Sequence, residues 1–239
     1  MQVFDIVRLQ KTARRAADLL MRHPWKVWFW GDSIGLEGLL DAAEFLGEPR
    51  YEAFVYGMMK AWVARRLPPR SRDYTAPGVA LLRLYEHTSE AVFLRAAKDH
   101  AEYLAAFPQT DNGAYICFDD PEFDFPPAAA EGSAAVASAA RTSRGGPCVF
   151  VDNMHFDGPF FARLYQLTHD RRYRDLAVYN LLPSIELLFD ERDHLFHHFW
   201  SERLRAEHYK TMPRGAMVPW GQGPLLSAIR FYGALAAVG

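Results

Sequence analysis

Three stretches of this chain align without gaps, and they constrain the fold more than any other feature. They are Leu39–Tyr51 (LLDAAEFLGEPRY), Leu81–Phe93 (LLRLYEHTSEAVF) and Phe161–Tyr173 (FARLYQLTHDRRY). Each reads as the end of one helix, a tight turn, and an aromatic residue at the start of the next. The offsets are 42 residues (81 − 39) and 80 residues (161 − 81), a period of about 40 with a long segment tucked between the second and third units. Helical hairpins of this kind bury their apolar faces only by stacking on one another.

The rest of the chain agrees with a helical reading. Val3, Ile6, Val7, Ala13, Ala16, Ala17 and Leu20 form an apolar stripe, which predicts a first helix within Met1–Leu20 that turns this face to the core. Leu36, Leu39, Leu40 and Ala43 make a second stripe, stopped by Gly47-Glu48-Pro49. Further helices are expected over Tyr51–Val63, Val79–His87, Phe93–Phe107, Phe160–Thr168, Tyr173–Phe189 and about 219–238. Alternating strands are scarce, and the best candidate is Leu195–Trp200, read as a short hairpin arm. The expectation is an all-α chain in a single domain over 1–239, with a long loop excursion at about 119–146.

Composition removes several function classes. With 27 Lys+Arg against 29 Asp+Glu and a net charge of −2, the chain lacks the basic field that nucleic-acid binding needs. No uncharged apolar run is long enough to span a membrane. The charged first helix does not read as a signal peptide, so the expected compartment is cytoplasmic. Two cysteines, Cys117 and Cys148, make neither a disulfide framework nor a zinc site by themselves. His155, His197 and His198 do not stand at metal-ligand spacing either, and neither metal nor cofactor is expected.

An acidic residue stands upstream of each hairpin turn: Asp32 lies 11 residues before Ala43, Asp73 lies 12 before Tyr85, and Asp152 lies 13 before Tyr165. Helix capping explains any one of them. Hairpins stacked in a ring would instead turn all three carboxylates toward one mouth. Trp28, Trp30, Phe156, Trp200 and Trp220 lie beside these acids. Flat rings of this kind pack against sugar faces, although aromatic residues also fill cores.

Four stretches carry a family resemblance: Trp28–Gly35 (WFWGDSIG), Asp73–Thr88 (DYTAPGVALLRLYEHT), Val151–Phe160 (VDNMHFDGPF) and Leu195–Trp200 (LFHHFW). In this order they resemble the unsaturated rhamnogalacturonyl hydrolases of glycoside hydrolase family 105 and, more distantly, the unsaturated glucuronyl hydrolases. The resemblance implies an α/α toroid of the six-hairpin type. It is incomplete here, with about four helical hairpins, and looks truncated at the C-terminus. An open ring exposes an apolar edge and invites a homodimer.

The resemblance also implies an activity and a site. Such enzymes hydrate the C4=C5 bond of an unsaturated uronic acid in oligosaccharides such as pectin and rhamnogalacturonan fragments. The catalytic acid falls on Asp152 and its partner carboxylate on Asp73. Substrate contacts fall on Trp30, Asp32, His155, His198, Trp200, Trp220 and Gln222. The sequence departs from the pattern where the family's Arg becomes Gln222, where a Trp becomes Leu226, at Phe150 in place of another Trp, and at Cys117, which takes the place of a loop histidine. Two other readings stay open: a different toroid enzyme (an inverting glycosidase or a sugar epimerase), and an inactive sugar-binding remnant.

Overall fold

The computed structural model describes residues 5–25, 30–65, 78–117, 147–191, 195–196, 199–201 and 232–239, with the backbone alone at 30, 190, 195, 199 and 201. Its helices are α1 Ile6–Leu20, α2 Trp30–Leu46, α3 Pro49–Arg65, α4 Gly78–Thr88, α5 Ala91–Ala105, α6 Val151–Thr168 and α7 Arg171–Leu188. Residues 232–238 are also helical. Four short strands complete the described chain: β1 Cys148–Phe150, β2 Phe189–Asp190, β3 Leu195–Phe196 and β4 Phe199–Ser201. The all-α expectation holds. Among the described residues no helix is long and apolar enough to cross a membrane. The expected loop over 119–146 lies outside the described residues, as does the expected last helix before residue 232. The chain divides into two compact units, Met1–Glu102 and Tyr103–Gly239.

The repeat is a repeat of local conformation. Gly47, Ser89 and His169 occupy the same place in the three aligned stretches, and each adopts a left-handed backbone, with φ of 65°, 58° and 56°. That conformation is how many helices end. Glycine adopts it without strain, whereas Ser89 and His169 do so against the usual steric preference. Both non-glycine turns share a compensation. The hydroxyls of Thr88 and Thr168 donate back to the carbonyls of Leu84 and Leu164, at 2.6 and 2.7 Å. The same hydroxyls accept from the amides of Glu90 and Asp170. The aromatic residues four positions after the turns, Tyr51, Phe93 and Tyr173, are all buried, as are Leu39, Leu81 and Phe161 at the head of each stretch.

Within the first unit, α2 packs against α1, α3 and α4. Leu36, Leu39, Leu40, Val55, Met59, Leu81 and Leu82 fill its core. Arg83 reaches from α4 to α2. Its buried guanidinium donates to the Asp41 and Glu44 carboxylates, each at 2.6 Å, and to the Glu37 carbonyl. The partner carboxylates stay largely in solvent, so the pairing leaves one buried cation satisfied without burying two anions.

Helix α1 differs from its sequence expectation. Among the described residues of the predicted apolar stripe only Ala17 is buried, while Ile6 and Val7 are 52% and 69% exposed. The helix is tethered by polar groups instead. Arg14 pairs with Glu48 at 2.6 Å, Asp18 pairs with Arg50 at 2.7 Å, and the Tyr51 hydroxyl donates to Asp18. Burial, with Asp18 alongside, pushes the Tyr51 hydroxyl up to about 12.

In the second unit α6 and α7 form the third hairpin and pack along their length. The sequence reading places this first helix over Phe160–Thr168. In the structure the helix begins at Val151 and continues through Pro159. A proline inside a helix forfeits one backbone hydrogen bond, and the packing of the hairpin overrides that cost. The contact that sets the α6–α7 spacing is at Gly158. A Cβ there would lie 2.5 Å from Leu181 Cδ2 and 2.7 Å from its Cγ. Leu195–Trp200 also differs from the expected single arm. Its two ends pair with different partners, β3 with β2 and β4 with β1.

Two predictions follow from these contacts. Gly158→Ala destabilises the protein by about 1–3 kcal/mol, although alanine is the better helix former, because Leu181 is buried and has nowhere to move. Urea unfolding checks this, and adding Leu181→Ala should restore part of the loss. The second prediction concerns acid. The Tyr51 hydroxyl, with Arg50 beside it, holds the Asp18 carboxyl below its ordinary value, and Arg14 with Arg50 does the same for Glu48. A depressed carboxylate contributes stability above the ordinary carboxylate range and loses it as the pH falls through the lowered value. The urea midpoint should therefore drop as the pH falls below about 4, and it should drop less in Arg50→Gln.

Candidate active site

The residue on which the expected chemistry rests, Asp152, stands in the first turn of α6. Phe150 is the residue at which the chain enters that helix. It is extended, with φ −111° and ψ 145°, and has no side-chain cap. The helix starts here because β1 delivers the chain in an extended conformation, and β1 is held by β4. The ladder is antiparallel, with Cys148 opposite Ser201, Val149 opposite Trp200 and Phe150 opposite Phe199. Residues directly opposite in such a ladder project to the same side of the ribbon. Trp200 is thus brought next to the strand that leads into Asp152, across some fifty intervening residues of sequence.

The helix that carries Asp152 is set deep in its unit. Val151, Met154, Phe156 and Phe160 are buried on the same helix, together with the polar Asn153 and Asp157. Asp152 itself is half-buried, and its Oδ2 atom is shielded from solvent. His155, one helical turn along, is also half-buried and meets Phe156 edge to face at 5.0 Å. Positions three apart share a helix face, so Asp152 and His155 present an acid and an imidazole side by side.

The first unit holds a second polar cluster. Asp32 lies in the first turn of α2 and is buried. His23 Nε2 approaches its Oδ1 at 3.6 Å. The His23 ring meets Trp25 edge to face at 5.4 Å, and Trp25 covers Gly35, where a Cβ would lie 2.8 Å from the indole. Sequence reasoning singled out Asp32 but missed His23 and Trp25. They belong to no periodic stripe and to none of the quoted motifs, and only their contact with α2 reveals them.

The structure therefore gathers Asp152, His155 and Trp200 in one unit and sets Asp32 in the other. Asp73, His198, Trp220 and Gln222 lie outside the described residues, and Trp30 is described by its backbone alone, as the first residue of α2. The strand β1 was also missed from sequence. Three residues, Cys148-Val149-Phe150, are too few for an alternating pattern to register.

Helical hairpins, an acid at the head of α6 and a tryptophan on the adjoining ladder are features that a carbohydrate-active helical toroid would need. The profile of Glycosyl Hydrolase Family 88 matches residues 6–224. The chain belongs to that family. No curated protein matches the sequence. Among solved structures, a possible member of the GH105 family from Salmonella enterica superposes with a TM-score of 0.67 at 15% identity, covering 100% of this chain and 66% of that one. An unsaturated glucuronyl hydrolase from Streptococcus agalactiae gives 0.64 at 12% identity, covering 100% and 64%. A family 76 mannosidase from Bacteroides thetaiotaomicron gives 0.60 at 16% identity, covering 97% and 70%. Likeness at these identities is one of fold, and it establishes the α/α-toroid type. The chain spans about two thirds of the length of the first two neighbours.

Proposed function

We propose that this protein is a glycoside hydrolase that acts on oligosaccharides ending in a 4,5-unsaturated uronic acid, of the pectin or rhamnogalacturonan kind. The observation that carries the reading is the position of Asp152, half-buried in the first turn of α6 beside the ladder that bears Trp200. Membership of family 88 and the fold shared with an unsaturated glucuronyl hydrolase support it.

In this reading the Asp152 carboxyl gives its proton to C4 of the unsaturated sugar as C5 develops positive charge. The resulting carboxylate then takes a proton from the water that adds to C5. The product is a hemiketal, which opens and releases the neighbouring sugar. One carboxyl group serves both steps. A donor must begin protonated, and a second carboxylate close by favours that state by resisting a second negative charge. Asp73 is proposed for that part. Trp30, Trp200 and Trp220 offer flat faces to sugar rings, while Asp32, His155, His198 and Gln222 offer hydrogen bonds to hydroxyls.

Asp152→Asn tests this directly. The ultraviolet absorbance of the unsaturated disaccharide should cease to fall, with kcat reduced on the order of 10²–10⁴ fold, while the circular dichroism and Tm stay near those of the parent. Undiminished turnover would refute the assignment. The fold shared with a family 76 mannosidase is in keeping with a second reading, a hydrolase of saturated glycosides that uses two carboxylates. Release of sugar from a saturated substrate, with no loss of a double bond, would favour it. Exposed Ile6 and Val7 on α1 also support homodimerisation through this apolar face. Sedimentation at two concentrations should then show a dimer that dissociates on dilution, and Ile6→Lys with Val7→Lys should leave a monomer.

A further inference from the structure

The chain has two cysteines, and the fold brings them together. Cys117 follows the tight turn closed by the Gln109–Tyr115 bridge, and Cys148 opens β1. The Cys117 amide donates to the Cys148 carbonyl at 2.8 Å. The Phe150 amide in turn donates to Cys117 Sγ at 3.2 Å. Backbones joined by such a bond keep their Cα atoms roughly 5–6 Å apart, inside the span of roughly 4.4–6.8 Å that a disulfide bridges. Both side chains are buried, and both are thiols.

From this juxtaposition we infer that Cys117 and Cys148 form an intramolecular disulfide when the chain folds in the presence of a disulfide oxidant such as glutathione disulfide. Both thiols are buried once the chain has folded, and before that either can meet the oxidant. Where Cys117 meets it first, its thiolate attacks one sulfur of glutathione disulfide, whose S–S bond breaks and releases one glutathione thiolate. The Cys148 thiolate then attacks the Cys117 sulfur, forms the new S–S bond and expels the second glutathione thiolate. The two protons given up by the cysteines end on the two released glutathiones. The cysteine pair loses two electrons and the oxidant gains them.

The bridge links positions 31 apart (148 − 117), and crosslinking across a span of that size restricts the unfolded chain substantially. It also lies against α6, since Phe150, whose amide already meets the Cys117 sulfur, is the N-cap of that helix and has no side-chain cap. The inference stands without the functional reading, because its test reads sulfur and not turnover.

The full chain is refolded from denaturant in a glutathione redox buffer, alkylated after unfolding and weighed intact. The expected product is a monomer with no alkylated cysteine and a mass about 2 Da below that of the reduced chain, yielding a peptide that links 117 to 148. Its Tm should exceed that of the reduced chain by roughly 5 °C or more, a gain that Cys117→Ala and Cys148→Ala both lack. A monomer with two alkylated cysteines, glutathione adducts alone, or disulfide-linked dimers alone would overturn the inference. A bridged monomer with a lower Tm than the reduced one would do so as well.

Discussion

Everything in this fold depends on ending a helix sharply and starting the next one at a fixed distance. One residue in the left-handed conformation does so, at Gly47, Ser89 and His169. Its cost is steric, and only glycine escapes it. The other two turns persist because the surrounding groups outweigh the strain: a threonine hydroxyl that bonds on both sides of the turn, and an aromatic ring, Phe93 or Tyr173, buried four residues later. Burying such a ring contributes about 1.5–3 kcal/mol, against roughly 1–3 kcal/mol for a strained backbone position. Turn and ring therefore belong to one device. Each hairpin so made exposes an apolar face that only another hairpin can cover.

The candidate site uses the end of the hairpin opposite the turn. Helix α6 has its left-handed residue at His169, and its other end carries Asp152. What fixes that end is the three-residue ladder between β1 and β4. A ladder this short has little stability alone, and it persists because Cys148 and Val149 are buried against the unit. The consequence for function is geometric: a carboxylate on a helix and a tryptophan on a strand are held a few residues apart by main-chain hydrogen bonds, whose length varies little. A sugar ring bound against the tryptophan would then have a defined position relative to the acid.

The sequence was readable where its signal was periodic. The apolar positions of α2, α3 and α4, the three turns and the aromatic residues after them all stand where the repeat puts them, because one physical unit occurs three times. It was misleading at two helices. The helix expected from Phe160 starts at Val151 and runs through Pro159. Ile6 and Val7 looked like core, yet α1 is held by Arg14, Asp18 and ion-pair partners that no hydrophobic stripe reveals. It was silent where partners belong to different elements. The ladder between 148–150 and 199–201, the contact of His23 with Asp32 and the approach of Cys117 to Cys148 have no local signature. Asp152 and Asp32 were both found by the recurrence of an acid near helix starts, and resemblance to a family motif then gave Asp152 its role. Neither method could supply the neighbours that give each carboxylate its surroundings.

The central claim is chemical: that the double bond of the terminal sugar is protonated at C4 and hydrated at C5. Turnover of an unsaturated disaccharide in deuterium oxide tests it most directly. The account predicts one deuterium at C4 of the released 4-deoxy sugar, read by proton NMR, with the olefinic signal lost at the same rate as the neighbouring sugar appears. Release of that sugar with the olefinic signal intact and no deuterium at C4 would contradict it.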